Sequence, residues 1–167
     1  HTNAEAFEKG VIALAEEGGG KGGPNAARHR SELLAHLQPT WTKMTEEFQV
    51  RQLHFHAPPG DTSFLRVHKP EMYGDDLSGI RHIIVDAINE KQPKSGFELG
   101  RVYSGIRSVV PVFSPSDNQH FIGAVEAGTS FENLASLLRR LTDSHVAVLM
   151  NADQVDEAMW DSTEEKF

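Results

Sequence analysis

GFELGRVYSGIRSVVPVFSPSDNQHFIGAVEAGTSF, residues 96–131, decides how this chain folds. It holds three strand-like runs: GFELGRVY at 96–103, GIRSVVPVF at 105–113 and HFIGAVEAGTSF at 120–131. Val, Ile, Phe and Tyr dominate them, the side chains that fit a pleated, half-buried surface. SPSDN at 114–118 is turn chemistry, because Pro presets the backbone while Ser, Asp and Asn bond their own main chain. Strands this closely spaced pair antiparallel, since a parallel neighbour needs a crossover of a dozen or more residues. The stretch therefore predicts a meander.

Upstream, VRQLHFH at 50–56 alternates, with Leu53 and Phe55 on one face and His54 and His56 on the other. Pro58, Pro59, Gly60 and Asp61 form a turn, and SFLRVH at 63–68 reads as the next strand. Asp75 and Asp76 are expected to cap a helix running to about Lys91, with Leu77, Ile80, Ile84 and Ile88 inside. Downstream, a helix is expected over 131–141, a short strand at HVAVLM, 145–150, and an acidic tail at 153–165. At the N-terminus, Ala4, Phe7, Val11 and Leu14 share a helical face, which the run GGGKGG at 18–23 ends as a flexible linker. A second helix over 25–48 carries Leu33, Leu34, Leu37, Trp41, Met44 and Phe48, with Pro39 as a kink or a new start. Its apolar residues read as wrapping more than one face, which predicts self-association.

The order helix–helix, two strands, helix, three strands, helix gives an α+β class: a PAS-like antiparallel sheet preceded by a long N-terminal helical segment. The expected division is a helical segment at 1–48, a sensor domain at 49–152 and a tail or helix start at 153–167.

Composition narrows the function. A length of 167 residues suits one domain, and a net charge of −8 disfavours nucleic acid and anionic membrane surfaces. The absence of cysteine excludes disulfides, thiolate metal sites and cysteine nucleophiles. No apolar run approaches the ~20 residues that span a bilayer. His1-Thr2-Asn3 is unlike a natural start, so the sequence is expected to be part of a longer protein. The chain has no nucleophile elbow, P-loop or H-E-x-x-H, and GGGKGG lacks the ending and preceding strand of a phosphate loop. No catalytic residue and no cofactor is expected.

LHFHAPPGDTSFLRVHKPEMYGDDLSGIR at 53–81, with GFELGRVYSGIRSVVPVF and FIGAVEAGTSF, resembles the Cache-type sensory modules of bacterial chemoreceptors, sensor kinases and membrane-bound diguanylate cyclases. The resemblance covers roughly residues 30–160, and FLRVHKPEMYGDDLSGIR at 64–81 is its most specific piece. It implies a PAS-like fold and a periplasmic, extracytoplasmic ligand-binding domain of an inner-membrane receptor, expected to be a methyl-accepting chemotaxis protein that pairs as a homodimer. It implies no particular ligand. The glycine insert at 18–23 is foreign to that family.

Candidate binding residues follow from side-chain chemistry. His54 and His56, two apart on a strand, face one side and can donate to an anion. With a third ligand from His68, Asp75 or Glu126 they could instead share a metal, the alternative reading of a metal-dependent enzyme or metal sensor. The plain reading has one imidazole bonded to a backbone carbonyl, and no metal is assigned. Arg66 and Arg107 sit among apolar strand residues and either grip a carboxylate with the planar fork or pair with a neighbouring acid. Glu126, between Val125 and Ala127, is expected to pair with Arg107 or Arg66 beneath a ligand. Tyr73 and Tyr103 are expected to cover the pocket. Arg81 reads as structural and Glu98 as an exposed strand glutamate. The expected ligand is a small organic anion, a carboxylate, in a cavity between the sheet and segment 58–80.

Overall fold

The period-two alternation becomes a five-stranded antiparallel sheet. It is seen in a computed structural model that describes residues 2–59, 61–79, 81–99, 104–147 and 149. The strands are β1 (Gln52–Ala57), β2 (Thr62–Arg66), β3 (Lys94–Leu99), β4 (Ser104–Phe113) and β5 (Phe121–Ser130), in the order β2-β1-β5-β4-β3. The helices are α1 (Thr2–Glu16), α2 (Pro24–Phe48), α3 (His82–Glu90) and α4 (Phe131–Thr142). The expected α+β, PAS-like arrangement is what forms. β3, β4 and β5 make the meander, and β5 then docks on β1, so that His54 stands opposite Glu126 and Glu126 opposite Val109. Opposed residues share a face.

Both faces of the sheet are covered. On one, Leu53, Phe55 and Leu65 pack with Phe7 and Leu14 of α1 and Leu33 and Leu37 of α2. Phe7 meets Phe55 edge-on at 5.1 Å between ring centroids and Phe64 at 5.5 Å. Gly10 permits this approach, since a Cβ there would lie 2.4 Å from the Phe64 ring. On the other face, Ile84, Ala87 and Ile88 of α3 pack on Val109 and Ala124. Every residue of β1 is buried as a result.

Several local expectations change. The glycine run is an ordered turn between α1 and α2. The Glu17 carboxylate accepts from the backbone N–H groups of Gly23, Asn25 and Ala26 at 2.7, 3.0 and 3.0 Å, capping α2. α2 runs unbroken through Pro39, whose missing N–H would have bonded the carbonyl of Ala35, an exposed residue. The apolar residues of α2 occupy one face, not several: Leu33 and Leu37 are buried, Leu34, Trp41 and Met44 pack beside them, and Phe48 is exposed.

α3 begins at His82, not at Asp75 and Asp76. Segment 74–77 lies extended along the free edge of β2. Ser63 N–H donates to Asp75 O, Gly74 N–H to Ser63 O and Leu77 N–H to Asp61 O. That covers an edge strand whose main-chain groups would otherwise be open to another chain. Asp76 caps only its own turn, accepting from Ser78 N–H at 2.9 Å. Ile80 lies outside the described residues. Residues 145–147 and 149 form no strand, and Leu149 is exposed. The tail at 153–165 lies outside the described residues. Among the described residues no helix is long and apolar enough to cross a membrane.

Candidate functional site: a buried ionic cluster on the sheet

The α3-facing side of the sheet carries polar side chains where a core would place apolar ones. β1 supplies His54 and His56, β5 supplies Glu126 and β4 supplies Arg107. All four are buried, with 0% exposure for His56 and Glu126. Three neighbours complete the group: Asp61 from the β1–β2 turn, Arg81 at the head of α3 and Glu98 on β3.

Glu126 is the hub. Its Oε1 accepts from Arg107 Nη1 at 3.2 Å and from Arg81 Nη2. Arg81 Nε donates to Glu98 Oε2 at 2.8 Å, and Arg107 Nε stands 3.6 Å from the same oxygen. Glu98 Oε1 accepts from Ile83 N–H at 3.3 Å, so β3 caps the first turn of α3. His56 Nδ1 is 2.5 Å from Asp61 Oδ1, and His54 Nε2 is 2.8 Å from Ser63 Oγ. The second nitrogens of both imidazoles turn toward Glu126 Oε2, His56 Nε2 at 3.5 Å and His54 Nδ1 at 3.8 Å. These are too long for good hydrogen bonds. Among the described residues, His56 Nε2, Asp61 Oδ2 and Glu126 Oε2 are buried with no hydrogen-bond partner.

The electrostatics separate the two imidazoles. Burial pushes the His54 imidazolium down, and neighbouring His56 pushes it further, well below the usual histidine range. Burial also acts downward on His56, but the Asp61 and Glu126 carboxylates overcome it and hold His56 above its ordinary value. Burial works to raise the Glu126 carboxyl, yet His56, Arg81 and Arg107 bring it down to about 2. Arg81 is likewise opposed by burial and carried up by Glu126 and Glu98. Among the described residues three carboxylates face two guanidiniums, and the His56 imidazole, raised by Asp61 and Glu126, is the group able to carry the balancing charge.

The other sequence candidates fall outside this group. Arg66 makes a bidentate pair with Asp75, both bonds at 2.8 Å, and a 2.8 Å bond to Met72 O. Its fork holds an internal carboxylate. His68 lies at the margin: Nδ1 is 3.2 Å from Leu53 O and the ring is 6.4 Å from His54. Tyr73 does not join the cluster but stacks on Arg30 of α2 at 3.9 Å. Tyr103 lies outside the described residues. Sequence reasoning missed Asp61, Ser63, Glu98 and above all Arg81, because only strand register and the path of 74–81 bring them to Glu126. An open groove of about 520 Å³ lies at the junction of α2 and α4, lined by Gln49, Arg51, Ser130 and Asn133, away from the expected cavity at 58–80.

Residues 22–165 match the dCache_3 family, described as the double sensory domain of two-component sensor kinase. No curated protein sequence matches. Among solved structures, the Escherichia coli DcuS sensor domain is similar at 12% identity and a TM-score of 0.52, over 83% of this chain and 99% of that one. An extracellular ligand binding receptor from Desulfohalobium retbaense is 21% identical over 86% of this chain, with a TM-score of 0.49. This chain spans only 25% of that receptor's length. The ligand-binding domain of the Pseudomonas aeruginosa amino-acid chemoreceptor PctC, solved with GABA, matches 83% of this chain and 63% of its own at 12% identity and a TM-score of 0.40.

Proposed function

The chain belongs to the dCache_3 family, the double sensory domain of two-component sensor kinases, and from that premise we propose that its polar sheet face binds a small organic carboxylate. The family is one of extracytoplasmic sensor domains of membrane receptors, ligand-binding modules without catalytic chemistry, as the resemblance to Cache modules implied. The observation that carries the ligand class is the convergence of two guanidiniums from separate elements on one carboxylate oxygen: Arg81 at the head of α3 and Arg107 on β4 both meet Glu126 Oε1. A ligand carboxylate competes with Glu98 and Glu126 for those forks, which recognise a planar two-oxygen group bidentately.

In this reading Arg107 and Arg81 grip the anion, His54 and His56 line the floor and Glu126 is the internal carboxylate that ligand partly displaces. Arg66 stays with Asp75 and braces loop 72–75. Since Arg81 leads directly into α3, release from Glu126 moves the head of that helix, which gives binding a mechanical consequence. The family description favours a sensor kinase as the parent over the chemoreceptor expected from sequence.

A thermal-shift screen of small mono- and dicarboxylates, with amines as controls, tests the reading, because a ligand that binds only the folded state raises its melting temperature. Hits should weaken in Arg107→Ala and Arg81→Ala proteins. Charge-assisted bonds contribute ~1.5–3 kcal/mol, so affinity should fall roughly tenfold to more than a hundredfold. Stabilisation by amines alone, or carboxylate affinity unchanged in both variants, would overturn it.

A further inference from the structure

We propose that His54 Nδ1, His56 Nε2 and Glu126 Oε2 form a binding site for one divalent transition metal ion of the zinc class. The three atoms lie within 4.8 Å of one another, and all three residues are buried. Glu126 Oε2 stands 3.5 Å from His56 Nε2 and 3.8 Å from His54 Nδ1. Zinc binds imidazole nitrogen and carboxylate oxygen at about 2.0–2.2 Å, which puts tetrahedral donors roughly 3.3–3.5 Å apart. Shifts of a few tenths of an ångström bring these two edges to that spacing, and the edge between the two imidazoles lies within 4.8 Å.

Each donor residue has one atom facing the common point and its other polar atom tied back. His56 Nδ1 bonds Asp61, His54 Nε2 bonds Ser63, and Glu126 Oε1 accepts from Arg81 and Arg107. Such outer partners fix the ring tautomer and orient metal ligands, the carboxylate–histidine–metal arrangement in particular. Two of the inward atoms, His56 Nε2 and Glu126 Oε2, are buried without a hydrogen bond among the described residues, a condition native proteins avoid unless something fills the gap.

Charge allows the ion. A metal binds only the unprotonated imidazoles and so displaces any proton on His56; among the described residues Asp61, Glu98 and Glu126 then outnumber Arg81 and Arg107 by one, so a divalent cation takes over the balancing role and leaves the cluster at one positive charge. Two imidazoles and one carboxylate suit zinc and its transition-metal neighbours better than calcium or magnesium, which prefer all-oxygen shells. Three protein donors leave a fourth position for water or a ligand atom. The metal is tested apart from the carboxylate reading, because it uses the inward atoms and is titrated with no carboxylate present.

The test is titration of the chelator-stripped chain with Zn²⁺, followed by long-range ¹H–¹⁵N spectra of the histidine rings. One equivalent should shift His54 Nδ1 and His56 Nε2 selectively, leaving His36, His82 and His120 unchanged. Calorimetry should give one site, weakened at least tenfold in Asp61→Asn, which removes the negative charge behind His56 Nδ1. The ring spectra are read on the unaltered chain, so an unstable variant cannot obscure the result. No binding, or shifts confined to histidines outside the cluster, would overturn the proposal.

Discussion

Replacing Glu126 with glutamine removes the charge on which the buried cluster centres and leaves the side-chain shape nearly intact. Two routes give the magnitude. Breaking a buried ion pair by neutralising one partner costs about 3–5 kcal/mol, because the other charges stay buried and uncompensated. Independently, the fold takes the Glu126 carboxyl from its ordinary 4.5 to about 2. At ~1.36 kcal/mol per pH unit that depression corresponds to about 3 kcal/mol of stability. The routes agree, so Glu126→Gln in chelator-treated protein should lose about 3–5 kcal/mol at pH 7 and melt roughly 6–20 °C lower. The sign with pH follows. A carboxyl depressed by folding contributes fully above its unfolded value and loses that contribution as pH falls through its folded value. The gap between the two proteins should therefore hold from pH 7 to pH 5 and shrink to less than half by about pH 3. Urea denaturation followed by circular dichroism at these pH values measures it. A gap under ~1 kcal/mol at pH 7, the value of an exposed pair, or one unchanged at pH 3, would refute the reasoning.

Gly123→Ala should destabilise by about 2–4 kcal/mol in thermal melts, since its φ is +153° and the new Cβ would lie 2.4 Å from the His56 carbonyl oxygen and 2.7 Å from the Phe7 ring. Lys91→Gly should stabilise by about 0.5–1 kcal/mol, because Lys91 ends α3 at φ +52° with its side chain exposed; a lower melting temperature would contradict this. Asp75→Asn should cost no more than ~1 kcal/mol despite the ideal fork with Arg66, because the Asp75 side chain is 49% exposed. Arg66 holds the Asp75 carboxyl below its ordinary range. That small contribution should be present above about pH 4 and fade below it, as urea titrations of the two proteins will read.

Element order and strand faces were legible because period two is written directly in LHFH and in β5, and the contrast of Leu53 and Phe55 with His54 and His56 survives folding unchanged. Register was not legible. Nothing local to His54 says that Glu126 stands opposite it, since that pairing is set by how the meander docks on β1. Asp75 and Asp76 looked like helix caps because an acid before an apolar run has the same appearance in a turn. Arg66 and the open edge of β2 draw that segment out straight instead. Arg81 read as structural because a long side chain at a helix start can reach any of several neighbours, and only the completed sheet selects Glu98 and Glu126. HVAVLM has strand composition, but its described residues pair with no neighbour in the sheet.

In the proposed reading, ligand binds the polar, α3-facing side of the sheet. It is tested most directly by an NMR titration of the chain with the carboxylate that stabilises it most, following the arginine Nε–Hε and histidine ring signals together with the backbone amides. Saturable shifts are expected at Arg81, Arg107, His54 and His56 and at the first turn of α3. Shifts confined to Gln49, Arg51 and Asn133 around the α2–α4 groove, with the cluster silent, would contradict it.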